Sequence, residues 1–232
     1  MPDDQNRQFA EPEIDVAARV HRWVATIVAL LMIADLLIVL IERQWLNVFL
    51  ISTIIAIVLA PVVLRERLPV RLPAEMQLAA LAFVVASLFL GEIRSYYDRF
   101  WWWDIVLHAS SGLLLGILGF LLVYVLNESR NIDLHMRPRF VALFAFLFAV
   151  AVGAIWEIFE FTMDALFGLR MQKPMLGDDS GLTDTMWDLI VDTLGAGLIS
   201  GLGWWYMHRD TESFIDVWIH KFIARNPRLF HP

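Results

Sequence analysis

Cysteine is absent from this chain. That excludes disulfides, thiolate metal ligands and a cysteine nucleophile. Charge is scarce: 19% of the 232 residues are Asp, Glu, Lys or Arg, against about 25% in soluble domains. The net charge is −7 and no block of Lys or Arg interrupts the apolar runs, which argues against a nucleic-acid partner. No soluble domain and no internal repeat can be read.

Apolar residues fill the space instead. They make up 59% of the chain, mean hydropathy is +0.61, and they come in long blocks. Six runs, at 23–41, 45–64, 76–91, 103–126, 140–167 and 186–207, approach the roughly 20 residues that cross a bilayer as a helix. Spanning strands would alternate and be half as long. The polar lead 1–22 precedes the first run, which reads as a retained anchor rather than a cleaved signal. The expectation is an all-α bundle: a cytoplasmic segment 1–22, six transmembrane helices over 23–207, and a cytoplasmic tail 208–232. In the tail, Phe214, Ile215, Trp218, Ile219, Phe222 and Ile223 recur at helical spacing, predicting an amphipathic helix on the membrane surface.

Orientation follows from the basic residues. Thirteen lie in the N-terminus, the second and fourth loops and the C-terminus, and five in the other loops. Both termini are therefore expected in the cytoplasm, and an inner-membrane, multi-pass location in a bacterium fits. Tyr96, Tyr97 and Phe100 to Trp103 mark the outer interface, and Trp204 to Tyr206 the inner one.

The acids of the last three runs make a pattern. In the fourth, Asp104 and His108 are four apart, with Ser111 on nearly the same face. The fifth carries Glu157, Glu160 and Asp164, and the sixth Asp184, Asp188 and Asp192. The runs alternate in direction, so all three stripes fall in the outer half of the membrane. An Asp at the centre of a membrane helix costs about 2.5–3.5 kcal/mol on insertion scales, and no Lys or Arg lies inside these runs. Either some carboxyls keep their protons, or a cation sits among them, or Arg94, Arg99, Arg170 or Lys173 reaches in from the outer loops. Oxygen ligands with one imidazole suit Mg²⁺, Mn²⁺ or Zn²⁺, with iron also compatible.

The residue types assign His108, Glu157, Glu160 and Asp188 to the metal, Asp104, Ser111 and Asp192 to its surroundings, and Asp164 or Asp184 to proton transfer. Asp104 and Asp184 also sit where helix N-caps are expected. Asp35 and Glu92 look isolated and structural. Gly112 with Gly116, and Gly197 with Gly201, are spaced for close helix packing. The loop 171–185, rich in Gly, Asp and Ser, lies over the site as a solvated segment or a lid.

Trp103-Asp104…His108…Ser111-Gly112, Trp156-Glu157…Glu160…Asp164 and Gly181-Leu-Thr-Asp184…Asp188…Asp192…Gly195 resemble, in that order, the YjdF-type family of bacterial inner-membrane proteins. The resemblance covers about residues 75–207. It implies the fold and the site, and carries no reaction with it. A more distant likeness is to VanZ-type membrane proteins, through Asp104, His108, Glu157, Asp184, Asp188 and Gly195; that pattern has Gln at Glu160 and Asn at the later polar position.

The leading expectation is a metal-dependent enzyme acting on a lipid or lipid-linked substrate at the outer leaflet. A small cation- or proton-coupled transporter and an accessory or scaffold subunit of a membrane complex, with membrane lipids or further copies of the chain as partners, are the alternatives. The orientation is directly testable. Reporter fusions at the C-terminus should read out cytoplasm and those at Asp179 the outside; the reverse would move the acids to the inner leaflet.

Overall fold

The computed structural model describes residues 12–63, 72–127, 136–209 and 214–226, and among these every regular element is helical. The order is α1 (Pro12–Ile41), α2 (Trp45–Val63), α3 (Ala74–Val84) running on as a π-helical stretch (Val85–Ile93), α4 (Tyr96–Arg99), α5 (Trp103–Asn127), α6 (Pro138–Phe167), α7 (Leu182–Arg209) and α8 (Phe214–Arg225). Of the basic residues that set the expected orientation, Arg7, Arg65, Arg67, Arg71, Arg130 and Arg228 lie outside the described residues.

Among the described residues, four stretches are long and apolar enough to cross a membrane: Ala18–Ile41, Ala74–Ile93, Trp103–Tyr124 and Pro138–Phe167. Within α2 the apolar part, Asn47–Pro61, is shorter. Helix α7 has the length, but Asp184, Asp188 and Asp192 dilute its first half. Large apolar side chains face outward along these helices: Leu30 is 62% exposed, Ile155 65% and Leu194 65%. Such a surface would drive aggregation in water and suits a lipid solvent. A membrane helical bundle is the architecture that these features support.

The chain forms two compact units, one of residues 1–96 with 220–232 and one of 97–219. In the first, Ala25, Ala29 and Met32 of α1 pack with Ile51, Ile54 and Val58 of α2 and Leu81 of α3. The Arg94 guanidinium pairs with Asp35 at 2.7 Å and lies over the Phe89 ring. Asp35 is therefore not isolated. The C-terminal half of α8 is stitched to the start of α3: Lys221 pairs with Glu75 at 2.6 Å, and Arg225 donates to the Leu72 carbonyl at 3.1 Å. Phe222 is 1% exposed. This half of the tail helix is seated against the start of α3 through Lys221 and Arg225, with Phe222 buried. Its apolar stripe was legible; the Glu75 partner, 146 residues away in sequence, was not.

In the second unit α5, α6 and α7 are mutual neighbours. Small residues set how close they come. A Cβ at Gly195 would lie 2.5 Å from the Ala109 carbonyl oxygen, and one at Gly112 would collide with the Asp192 carbonyl. One at Gly119 would lie 2.8 Å from Ala145 Cα. Gly112 and Gly116 thus serve the packing expected of them. Gly197 and Gly201 do not: the first meets only a Phe146 ring carbon at 3.8 Å, and the second has nothing within 4 Å. On α7 it is Gly195, facing backbone, that the crossing with Gly112 of α5 requires. Gly195→Val should therefore destabilise by about 1–3 kcal/mol or more through overpacking. Gly201→Ala should be neutral or stabilising by up to about 1 kcal/mol, the helix-propensity difference. Melting of the two variants in detergent measures the contrast.

Candidate functional site

Three helix ends meet at the site: the first turns of α5 and α7 and the last turns of α6. His108 is 9% exposed and central. Its Nε2 lies 3.6 Å from Asp104 Oδ1, one turn earlier on α5, and 3.8 Å from Asp188 Oδ2 on α7. Its Nδ1 lies 3.3 Å from Asp192 Oδ2 on α7 and 3.9 Å from Glu157 Oε1 on α6. Each ring nitrogen thus has two carboxylates near it, contributed by all three helices.

The carboxylates differ in what else they touch. Asp192 is 2% exposed, and its Oδ1 accepts a 2.5 Å hydrogen bond from the Ser111 hydroxyl. Glu160 accepts from the Trp156 indole N–H at 2.9 Å, one turn away on its own helix. Asp164 accepts the backbone N–H groups of Met171 and Gln172 at 2.8 and 3.0 Å. Asp184 accepts the backbone N–H of Lys173 at 2.7 Å. Asp188 is 0% exposed, and both of its oxygens are buried with no hydrogen-bond partner. Neither oxygen of the buried Glu157 has a well-formed hydrogen bond either, although the Thr185 hydroxyl lies near it.

A buried carboxylate without donors is an expensive arrangement. Such groups are normally paired, protonated or bound to a metal. One oxygen each of Asp104 and Asp188 and one ring nitrogen of His108 lie within 4.8 Å of one another. Four ligands around a zinc-like ion at about 2.1 Å are spaced about 3.4 Å apart, close to the 3.6 and 3.8 Å separations at Nε2. These three residues could hold a metal ion. Glu157 approaches the imidazole from its other nitrogen, and Glu160 is engaged by an indole, so neither belongs to that triangle. Asp104, which the sequence pattern places in the surroundings, stands in it.

The acids at the rim organise the loop. Helix α6 ends at Gly168, whose left-handed backbone (φ 65°) directs its N–H to the Asp164 carbonyl at 2.9 Å. The Asp164 carboxylate then holds the next residues of the chain. Gln172 donates to the Thr185 hydroxyl at 2.7 Å, and Lys173 lies over the Tyr97 ring. Asp178 accepts from the Thr183 backbone N–H at 3.0 Å and its hydroxyl at 2.8 Å, and from the Ser180 N–H at 2.9 Å. Hydrogen bonds from Ser180 and Thr183 hold the Asp178 carboxyl well below the usual carboxylate range. Asp178 is thus the acid that serves the start of α7, while Asp184, expected as its cap, faces back to the loop. Of the basic residues expected to reach toward the acids, Arg94 is engaged by Asp35, and the Lys173 ammonium donates to the Arg170 carbonyl at 2.9 Å.

Comparison with known proteins gives this arrangement a family but no reaction. A family model described as predicted membrane protein (DUF2238) matches residues 24–209. The chain belongs to that family, with which the YjdF-type resemblance is compatible. It is 31% identical over 124 residues to an uncharacterized protein of Thermotoga maritima, a match covering 53% of this chain and 59% of the relative's length. No solved structure matches.

The loop contacts are open to test. Asp164→Ala removes an acceptor of two charge-assisted hydrogen bonds, each contributing about 1.5–3 kcal/mol. Hydrogen exchange at the Met171 and Gln172 amides should accelerate about tenfold or more, while amides in the middle of α6 keep their protection. Unchanged exchange at 171 and 172 would deny Asp164 its anchoring role.

Proposed function

We propose that this chain is a bacterial inner-membrane protein of six spans, both termini cytoplasmic, that works as a divalent-metal-dependent enzyme on a lipid or lipid-linked substrate at the outer leaflet. The observation that carries the reading is Asp188: a fully buried carboxylate with neither oxygen hydrogen-bonded, set 3.8 Å from the Nε2 of His108. Asp104, His108 and Asp188 are the proposed ligands, with Glu157 and Glu160 flanking them. A bound divalent cation would supply an acidified water or polarise a phosphate or carbonyl oxygen. Asp184, buried and with one oxygen held by the Lys173 amide, would be the proton-transfer group of this scheme. Asp164, with both oxygens engaged by the loop, is better suited to positioning than to proton transfer. The VanZ-type likeness rests on the residue order alone and enters here only as part of the proposal.

A proton- or cation-coupled transporter is the second reading. It is favoured by Ser200 Oγ and Trp204 Nε1, two buried polar atoms without hydrogen-bond partners further along α7. Against it, Ala196 is fully buried between Asp192 and Ser200, beside the tight crossing of Gly112 and Gly195. There the α5 and α7 backbones meet with no side chain between them.

Metal content separates the two. Protein purified in detergent should carry a stoichiometric divalent ion, and chelator should lower its melting temperature by several degrees. A ligand at a hundredfold excess over its Kd stabilises by about 2.7 kcal/mol. Mg²⁺, Mn²⁺ or Zn²⁺ should restore the loss, and Asp188→Asn should abolish the response while the protein still inserts. Metal-free protein whose melting point ignores chelator and added ions alike would overturn the enzyme reading and put transport ahead.

A further inference from the structure

The metal reading leaves one carboxylate of the cluster without a task. Asp192 is almost fully buried and faces the imidazole nitrogen opposite the proposed metal side: its Oδ2 is 3.3 Å from His108 Nδ1, while Asp104 and Asp188 approach Nε2. Glu157, at 3.9 Å, is beyond hydrogen-bond reach of Nδ1. An imidazole offers only one nitrogen to a metal in this geometry, and the hydrogen bond at the other decides which.

The surroundings seat Asp192 closely. The Ser111 hydroxyl lies 2.5 Å from its Oδ1 and 2.8 Å from the His108 carbonyl. That hydroxyl has one proton to give, yet with either acceptor the Asp192 Oδ2 stays turned toward Nδ1. On the far side Gly153 of α6 leaves the space: a Cβ there would lie 2.6 Å from Oδ2. At Gly112 of α5 a Cβ would strike the Asp192 carbonyl. A serine on one neighbouring helix and glycines on both thus hold one carboxylate against one ring nitrogen.

We infer that Asp192, oriented by Ser111 and accommodated by Gly153, is the positioning residue of the site: it accepts a hydrogen bond from Nδ1–H of His108 and so commits Nε2 to the ligand side. This rests on the metal reading for what Nε2 binds, but not for the Nδ1 hydrogen bond itself. The same carboxylate lowers the cost of fixing the ring and makes Nε2 a better donor, an effect that typically changes metal affinity 10–100-fold when such a partner is removed.

The test is nitrogen-15 NMR of histidine-labelled full-length protein in detergent, with the His108 signals assigned by their loss in His108→Gln. In metal-free wild type Nδ1 should be protonated, with its proton shifted far downfield. Asp192→Ala should move that proton upfield, and Ser111→Ala should move it less in the same direction without lowering the melting temperature much. On adding Zn²⁺, Nε2 should take metal-bound frequencies while Nδ1–H persists. Zn²⁺ affinity should fall about 10–100-fold in Asp192→Ala. If wild type binds no metal but Nδ1–H depends on Asp192, the enzyme reading fails and the positioning role stands. If Zn²⁺ binds through Nδ1, or the Nδ1 proton ignores both substitutions, the positioning role is overturned while the metal reading survives.

Discussion

A carboxylate inside a membrane protein has to find a proton, a donor or a counter-ion, and the second unit of this chain is arranged around that constraint. Asp104, Glu157, Glu160, Asp184, Asp188 and Asp192 gather about a single imidazole, with no Lys or Arg between Trp103 and Asn127, Phe140 and Phe167, or Leu182 and His208. Like charges at such spacing cannot all ionise without compensation. The helices could have been held apart to weaken the repulsion. Instead Gly112, Gly195 and Gly119 draw them to backbone contact. A fold selected only to span a bilayer would gain nothing from crowding acids at its tightest crossing.

Close approach explains a feature that the pattern of acids alone does not. Glycine at 153 opens room for a carboxylate from α7, and glycine at 112 lets the α7 backbone settle against α5. Both contacts involve Asp192. The packing of the unit and the setting of its imidazole therefore share one residue, so a substitution there perturbs stability and site geometry together. Readouts specific to the ring are needed to separate the two.

Much of this was legible in the sequence, for definite reasons. Runs of about 20 apolar residues have few structural options in lipid, so the later runs fall within about four residues of helices, while α1 begins at Pro12, well before the run that starts at 23. Alternating direction put the three acid stripes at one depth without any knowledge of contacts, and His108 does meet acids from both partner helices. What periodicity cannot encode is partnership. The pairing of Arg94 with Asp35 spans 59 residues, and Glu75 with Lys221 spans 146. The helical wheel likewise could not show that Gly195, and not Gly197 or Gly201, meets a backbone. Nor could it show that Asp104 stands nearer Nε2 than Glu157 does. Asp178 was visible only as a polar loop residue, although the Asx-type spacing to Ser180 and Thr183 was a usable signal for its capping role.

The hydrogen bonds divide the acids into two groups that residue type does not distinguish. Asp164, Asp178 and Asp184 accept backbone N–H groups between Met171 and Thr183, so their charge is met by the loop they organise. Asp188 and Glu157, as buried as Asp184, lack well-formed hydrogen bonds, and the nearest group able to meet their charge is the His108 ring, at 3.8 and 3.9 Å. Asp188, the least exposed acid among the described residues, has no hydrogen-bond donor, so it depends on a proton, on the His108 ring at 3.8 Å or on a cation to complete it. The position of Asp188 opposite Nε2, with Asp104 on the same nitrogen and Asp192 nearest the other, is the geometry on which the metal proposal rests.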